Sequence, residues 1–261
     1  MRRLLNVAAA SIAALLVTGA AYAQTDFQWR GQLGSGQTLE IKGVNGDIRA
    51  SASGSGDAEV TATKSARRSN PADVRIEVAP HPGGVTICAV YPDVSGQPSN
   101  RCEPSENSRS RTRDNDTVVH FTVRVPVGVK FIGRSVNGEV EATSLNGDAE
   151  IHTVNGSARV STTGVALATT VNGSIDATMG RADWPGGASF STVNGSITLH
   201  LPSVVNAQLR ASTVNGEITS DFPITVTGEV TRRRLSGTVG SGGQELKLST
   251  VNGSIKLRRT E

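Results

Sequence analysis

The 261-residue chain has few aromatic side chains, only two cysteines and, beyond its N-terminus, no long apolar run. Phe, Trp and Tyr make up 3% of the residues, whereas glycine occurs 29 times and small or branched residues are frequent. This composition argues against a wide barrel or a helical bundle packed around large side chains. It favours a narrow β core filled by small branched residues.

The long apolar segment at the N-terminus has the features of a secretion signal. An apolar run over residues 4–20 follows two arginines, and residues 21–23 form an A-x-A cleavage site. We predict that residues 1–23 are removed and that the mature chain, which begins at Gln24, has no transmembrane segment. The protein is then periplasmic or secreted, and the form of the signal is bacterial.

The excess of basic residues is small once this signal is removed. The formal net charge is +3, and the two signal arginines account for two of these charges, which leaves +1 for the mature chain. We therefore predict no nucleic-acid partner.

The two cysteines, Cys88 and Cys102, are most simply a disulfide in an exported protein. The bond would close a loop of about 15 residues and stabilise the fold by roughly 3 kcal/mol. A reactive or metal-binding pair is the alternative, and it is disfavoured because the cysteines lack nearby histidine partners.

The sequence lacks a recognisable catalytic constellation. No G-x-S-x-G elbow occurs, and four histidines stand apart from one another: His81, His120, His152 and His200. We predict no catalytic residue, no metal site and no cofactor. A polysaccharide-cleaving site made of Asp176, Arg181 and Asp183 is an alternative supported only by their closeness in sequence.

Calcium binding is a second alternative. Four carboxylates follow an Asn-Gly pair and could line one edge of a repeat: Asp47, Glu139, Asp148 and Glu217. Glu139 and Asp148 could be neighbours in stacked repeats. Calcium needs several converging oxygens, and serine occupies the same position in the four other repeats, so this site is disfavoured.

The dominant feature of the sequence is an internal repeat. An Asn-Gly pair preceded by an apolar residue occurs eight times, and Ser, Asp or Glu follows each pair. The pairs are Asn45-Gly46, Asn137-Gly138, Asn146-Gly147, Asn155-Gly156, Asn172-Gly173, Asn194-Gly195, Asn215-Gly216 and Asn252-Gly253. With degenerate corners expected at Gly164 and at Ser236-Gly237, the unit is about 18–22 residues, the size of one coil of a β-solenoid.

The Asn-Gly pairs are predicted to be the corners of an all-β, single-stranded β-solenoid. Both residue types tolerate a positive φ. After one corner, Ile197, Leu199 and Leu201 are expected to face the core, with Thr198 and His200 on the other side. Stacked coils would form ladders of Asn, Val and Ile side chains. Because Asn-Gly is also a strong hairpin signal, an antiparallel β meander or barrel is the alternative.

The regular repeats occupy residues 135–261, and residues 24–134 are predicted to be a less regular part of the same solenoid. Near residues 88–117 the sequence becomes polar and rich in Ser, Pro, Asn and Arg. We expect an excursion from the solenoid there, pinned by the disulfide.

Three strings carry a family resemblance: "SVNGEVEATSLNGDAEIHTVNGS", "DFPITV" and "GSGGQELKLSTVNGSIKLR". They resemble the DUF4097 family of bacterial envelope proteins, often labelled "putative adhesins". The resemblance covers most of residues 36–258 and is strongest after Ser135. It implies a β-strand-repeat solenoid fold and offers no catalytic residues for transfer.

Basic clusters indicate where a partner could bind. Arg67 and Arg68 form a short pair. Nearby acidic residues offset a second cluster, which consists of Arg101, Arg109, Arg111 and Arg113. The run Arg232, Arg233 and Arg234 is less compensated. It is the preferred contact for an anionic envelope polymer or an envelope protein.

Together these features predict an exported, non-catalytic binding scaffold that is adhesin-like or associated with the envelope. A carbohydrate-active β-solenoid enzyme and an accessory protein in envelope-stress sensing are the alternatives. Because charge at the C-terminal strand would blunt an exposed solenoid edge, we expect a monomer or a weak oligomer.

Overall fold

The computed structural model describes residues 27–104, 110–226 and 231–260. The predicted signal segment and Arg109 lie outside the described residues. Within them the chain forms β-strands and one short 3₁₀ turn over Pro71–Asp73.

In chain order the strands are β1 (Phe27–Gln32), β2 (Thr38–Lys42), β3 (Ile48–Ala52), β4 (Asp57–Ser65), β5 (Arg75–His81), β6 (Gly84–Val90), β7 (Val118–Val125), β8 (Lys130–Arg134), β9 (Val140–Leu145), β10 (Ala149–His152), β11 (Ala158–Thr162), β12 (Ala166–Thr169), β13 (Ile175–Met179), β14 (Ala188–Ser191), β15 (Ile197–Leu201), β16 (Ala207–Ser212), β17 (Ile218–Ser220), β18 (Ile224–Val226), β19 (Arg234–Val239), β20 (Glu245–Ser249) and β21 (Ile255–Arg259).

The strands form two long sheets that face each other. Sheet 1 has the order β1-β4-β7-β3-β9-β11-β13-β15-β21-β17, and sheet 2 has the order β18-β19-β16-β20-β14-β12-β10-β8-β2-β6-β5. Between the ends, neighbouring strands are parallel. A coil consists of one strand of sheet 2, a corner, and the next strand of sheet 1. The β-solenoid is therefore confirmed.

Antiparallel pairing is confined to the two ends of the stack. At one end β1, β4 and β7 pair antiparallel in sheet 1, and β5 pairs with β6 in sheet 2. At the other end β19 pairs antiparallel with both β16 and β18. The meander or barrel is thus wrong as a description of the whole fold, since the hairpin-like pairing only closes the ends.

The order of the coils in space differs from their order in the chain. The C-terminal coil, β20 and β21, lies between the coil of β14 and β15 and the coil of β16 and β17. The first coil, β2 and β3, is inserted in the same way between β6 and β8 in sheet 2. The expectation that the C-terminal strand forms an exposed edge is wrong, because β17 covers β21.

A second expectation also fails in this part of the chain. Ser236-Gly237 was expected to be a degenerate corner, but both residues lie inside β19, opposite Arg210 and Leu209 of β16. Gly164, by contrast, lies at the turn between β11 and β12, as expected.

The core lies between the two sheets and is made of small and branched side chains. Ile197, Leu199 and Leu201 are at most 1% exposed, as the alternation predicts, whereas Thr198 and His200 are partly exposed on the outer face. A few larger side chains fill the space between the sheets: Phe121, Phe131, Trp184 and Phe190.

The predicted disulfide is present. The sulfurs of Cys88 and Cys102 are bonded, with the two Cα atoms 5.6 Å apart. The segment that follows β6 is held by Asn100, whose side-chain amide donates to the carbonyl oxygens of Tyr91 and Arg111 at 3.1 and 2.7 Å. The polar excursion thus packs across β6 rather than adding a coil.

Candidate functional site

The Asn-Gly corners stack into a continuous ladder along one edge of the solenoid. The side-chain Nδ2 of each asparagine after the first donates to the Oδ1 of the asparagine in the adjacent coil, at 2.7–2.9 Å, whereas that of Asn45 donates to the carbonyl oxygen of Thr117. In spatial order the members are Asn45, Asn137, Asn155, Asn172, Asn194, Asn252 and Asn215. Their backbones are bridged in parallel as well, so the corner continues the sheet hydrogen bonding around the bend.

Close stacking, not backbone conformation, explains most of the corner glycines. We expected positive φ at both corner residues, but among the corner pairs φ lies between +20° and +160° only at Gly46 and Gly253. A Cβ built on Gly173 would overlap the carbonyl oxygen of Gly156 in the neighbouring coil, and the same holds at each equivalent position. Glycine is required because one backbone lies against the next.

A buried row of hydroxyls supports the same edge from inside. Thr170 Oγ1 donates to the carbonyl oxygen of Gly156 at 2.8 Å, and Thr192 Oγ1 donates to that of Gly173 at 2.8 Å. The equivalent residues make the same bond and are at most 6% exposed: Ser135, Thr153, Thr213 and Thr250. The repeated S/T-V-N-G string is therefore a structural device, because its amides and hydroxyls bind neighbouring coils.

Asn146 is the exception among the eight predicted corners. It lies between β9 and β10 on the opposite edge, where its carbonyl oxygen accepts from the backbone N–H of Gly128 at 3.0 Å. Asp148 shares that edge, so it is not a neighbour of Glu139. The backbone N–H of Glu139 instead bonds Asp47 Oδ1 at 3.1 Å.

Two of the carboxylates considered for the disfavoured calcium site pair with arginines in the structure. Asp47 and Glu139 form ion pairs with Arg49 and Arg159, both at 3.0 Å. Across residues 27–104, 110–226 and 231–260, His, Cys, Asp and Glu form no group of three that could hold a metal ion.

Two of the three residues considered for polysaccharide cleavage pair with each other, and the third has a separate partner in the structure. Arg181 pairs with Asp183 at 2.8 Å on the surface and lowers the pKa of that carboxyl. Asp176 instead lies 3.9 Å from the His200 ring.

The preferred basic cluster lines a groove at the C-terminal end of the stack. Arg233 and Arg234 line a space of about 640 Å³ together with Ser212 and Val214, which belong to the coil of β16 and β17. The backbone holds this arrangement, since the carbonyl oxygens of Arg233 and Arg232 accept from the N–H groups of Thr213 and Ile218, at 2.9 and 3.0 Å.

The three arginines of this cluster are exposed. Among the residues that the structure describes, Arg232, Arg233 and Arg234 form no ion pair. Their guanidinium groups can therefore meet an anion from solution.

The other basic clusters are partly compensated, since Arg68 pairs with Asp116 at 3.8 Å. Asp116 accepts from the backbone N–H groups of Ser69, Arg68 and Arg67. Hydrogen bonds from Ser69 are the main cause that lowers the pKa of Asp116 to about 2. In the excursion, Arg101 pairs with Glu103 at 3.1 Å.

Sequence reasoning missed an ionic network on the outer face of sheet 2. Glu150 accepts from His152 at 2.7 Å, from Lys130 at 2.8 Å and from Arg134 at 3.3 Å. The hydrogen bond with His152 is the largest cause that lowers the pKa of Glu150 to about 2. Arg134 also reaches the buried Glu40 at 3.0 Å. Lys130 and Arg134 lie on β8, whereas Glu150 and His152 lie on β10. The parallel register of these two strands brings the network together.

Fold and surface together define a class of protein. It is an all-β solenoid of parallel coils, with an asparagine ladder along one edge and a basic groove at one end. Residues 129–258, about half of the chain, match the family model Toastrack DUF4097, and this part of the chain belongs to that family. The resemblance seen in the sequence is thereby confirmed over residues 129–258, and over residues 36–128 it stays a prediction. None of the curated proteins matches the chain.

Two crystal structures align with the chain at low identity. A "putative cell adhesion protein" from Clostridium sporogenes aligns over 90% of this chain and 99% of its own length, with 11% identity and a TM-score of 0.43. A "putative adhesin" from Bacteroides fragilis aligns over 90% of this chain and 96% of its own length, with 12% identity and a TM-score of 0.37. The fold assignment itself rests on the strand pairing and on the family match.

Proposed function

We propose that the protein is an exported, non-catalytic binding scaffold, adhesin-like or associated with the envelope, that contacts an anionic partner through the groove at Arg233 and Arg234. The observation that carries this proposal is the contrast between the corner edge, whose polar groups bind other coils, and the groove, whose guanidinium groups are exposed. Exposed arginines beside hydroxyls suit carboxylate, sulfate or phosphate groups.

Export is supported by the disulfide, which persists in oxidising compartments, and by the signal-like N-terminus. Within the described residues, no helix has the length and apolar character needed to cross a membrane.

A catalytic role is disfavoured by the local geometry. The acids proposed for a polysaccharide-cleaving site do not share a cleft, because Asp183 is bound to Arg181 and Asp176 faces His200. An acid–base pair for glycoside cleavage needs two carboxyl groups flanking one bond.

A monomer or weak oligomer remains our expectation. At the C-terminal end the outermost strands, β17 and β18, have three residues each. Edges this short offer little backbone to a second copy. Sedimentation velocity over a range of concentrations tests this, and a dimer that persists on dilution would contradict it.

Photo-crosslinking in living cells tests the binding site. A photoreactive residue at position 233 should capture an envelope polymer or an envelope protein. The matched control is position 198, where Thr198 lies on the outer face of sheet 1 beside Asp176 and Lys256. Equal capture at positions 233 and 198, or none at either, would contradict the proposal.

A further inference from the structure

The groove at Arg234 continues as rows of side chains along the outer face of sheet 2. Strand register places Arg234 and four hydroxyl residues in one row across five neighbouring strands, in the order Arg234, Ser212, Ser249, Ser191 and Thr169. The Oγ atoms of Ser191 and Ser249 lie 3.0 Å apart. With strands about 4.8 Å apart, this row extends for about 19 Å along the axis of the solenoid.

A row of exposed valines runs beside the hydroxyls. Each valine stands two residues after a member of the hydroxyl row, just past the end of the strand at the start of the Asn-Gly corner, and is exposed there. The valines are 38–54% exposed, and they are Val171, Val193, Val251 and Val214. Valine side chains placed in register form a narrow apolar strip next to the hydroxyls.

Two basic residues flank the C-terminal part of the hydroxyl row on its other side, and Ser189 holds the next position on β14. Arg210 and Lys247 are register partners two residues before Ser212 and Ser249, and both are exposed. Glu245 pairs with Arg210 at 3.2 Å. Within the described part of the chain, Lys247 forms no ion pair. Together with Arg233 and Arg234, this surface carries more positive than negative charge.

We propose that this surface is a binding track for a linear acidic polysaccharide that lies along the solenoid axis. The proposal rests on the proposed binding function and names its ligand class. A sugar ring presents C–H groups on its faces and hydroxyls at its rim, and an acidic sugar adds a carboxylate or sulfate. Valine, serine or threonine, and lysine or arginine match these three features in parallel rows.

The track has a physical end toward the N-terminal half of sheet 2. The hydroxyl row meets His152 and then Arg134, which pair with Thr169 and His152 in the strand register. Both side chains are bound to Glu150. Each already has the Glu150 carboxylate as a partner, so an acidic ligand is expected to gain less beyond Thr169 than at Lys247.

Chain length gives the first test. Alginate oligomers of defined length, which are linear polyuronates, are titrated into the purified mature protein with its disulfide intact. Affinity is expected to rise steeply with oligomer length up to about 19 Å and then to level off, because each added contact is intramolecular. An affinity independent of length from the shortest oligomer onward would overturn the track.

A matched pair of lysines gives the second test. Lys247 and Lys256 belong to the same coil, and both are exposed, but they lie on sheet 2 and sheet 1 respectively. Lys247→Ala should weaken binding of a long alginate oligomer about fivefold at low salt, as expected for one cation near an anionic partner. Lys256→Ala should change it less than twofold.

Two comparisons separate this inference from the proposed function. Arg233→Ala/Arg234→Ala should weaken binding about 25-fold, with Arg49→Ala/Arg159→Ala on sheet 1 as the control. If the groove variant loses binding while Lys247→Ala and Lys256→Ala have equal affinity for the oligomer, the track is wrong and the proposed groove is supported. If neither affects binding, both are wrong. Equal affinity for polyphosphate would overturn the assignment to a polysaccharide.

Discussion

The two halves of the outer face of sheet 2 share one parallel register but treat charge in opposite ways. In the N-terminal half, Glu150 binds three basic side chains from β8 and β10. In the C-terminal half, Lys247 and Arg234 stand exposed beside small hydroxyls. Within the described residues, Lys247 and Arg234 form no ion pair, which leaves them for a partner, although Arg210 in the same half pairs with Glu245.

The corner edge resembles the N-terminal half of sheet 2, which we call the closed half because its polar groups are bound within the protein. Its asparagine amides, threonine hydroxyls and glycine carbonyls bind one another from coil to coil. Substitutions there should act on stability, whereas substitutions in the C-terminal half of sheet 2 should act on binding. The predictions below test that division.

The largest effect is expected at a corner glycine. Gly173→Ala places a Cβ against the carbonyl oxygen of Gly156, so the two coils must separate. We expect a loss of about 3–4 kcal/mol in the free energy of unfolding, measured in urea. Gly54→Ala is the control, because a Cβ at Gly54 meets open space, and it should change stability by less than about 0.5 kcal/mol. Similar losses in both variants would contradict the stacking account.

Acid should destabilise the closed half. The pKa of Glu150 is about 2 in the folded protein, below the ordinary value of 4.5. Its contribution is complete above pH 4.5 and disappears as the pH falls toward 2, a loss of up to about 3 kcal/mol. The free energy of unfolding, measured between pH 7 and 2, should fall less steeply in Glu150→Gln than in the wild type.

Glu217→Gln is the control for the acid experiment, since Glu217 is exposed. Its stability should follow the wild-type pH dependence. If Glu150→Gln also follows it, the ionic network does not stabilise the fold.

A smaller effect is expected in the amide ladder. Asn172 donates to Asn155 and accepts from Asn194. Asn172→Ala removes both bonds and should cost about 1–2 kcal/mol of unfolding free energy in urea. Asn146→Ala changes the same residue type outside the ladder and should cost less than about 0.5 kcal/mol. The reverse order of the two losses would refute the ladder as a source of stability.

The sequence predicts the features that repeat locally, and it fails where distant segments meet. The Asn-Gly period predicts the coils, and the presence of a single cysteine pair in an exported chain predicts the disulfide. The insertion of β20 and β21 before the coil of β16 and β17 leaves no local signal, because every coil has nearly the same corner. Near-identical repeats indicate that coils stack, but they do not specify their order.

The candidate site can likewise be predicted only in part from the sequence. The run at Arg232–Arg234 stands out as a charge cluster, and the structure places two of its members in a groove. The row that joins Ser212, Ser249 and Ser191 combines residues far apart in the chain, and it becomes visible only through the strand register.

Chemical-shift mapping of the backbone amides during titration with a long alginate oligomer is the most direct test of the central claim. We predict perturbations concentrated at Ser191, Ser212, Arg234 and Lys247 in the C-terminal half of sheet 2. The amides of β8 and β10 and the outer face of sheet 1 should change little. Perturbations concentrated on β8 and β10, or spread equally over both sheets, would contradict the division between a closed scaffold and an open binding surface.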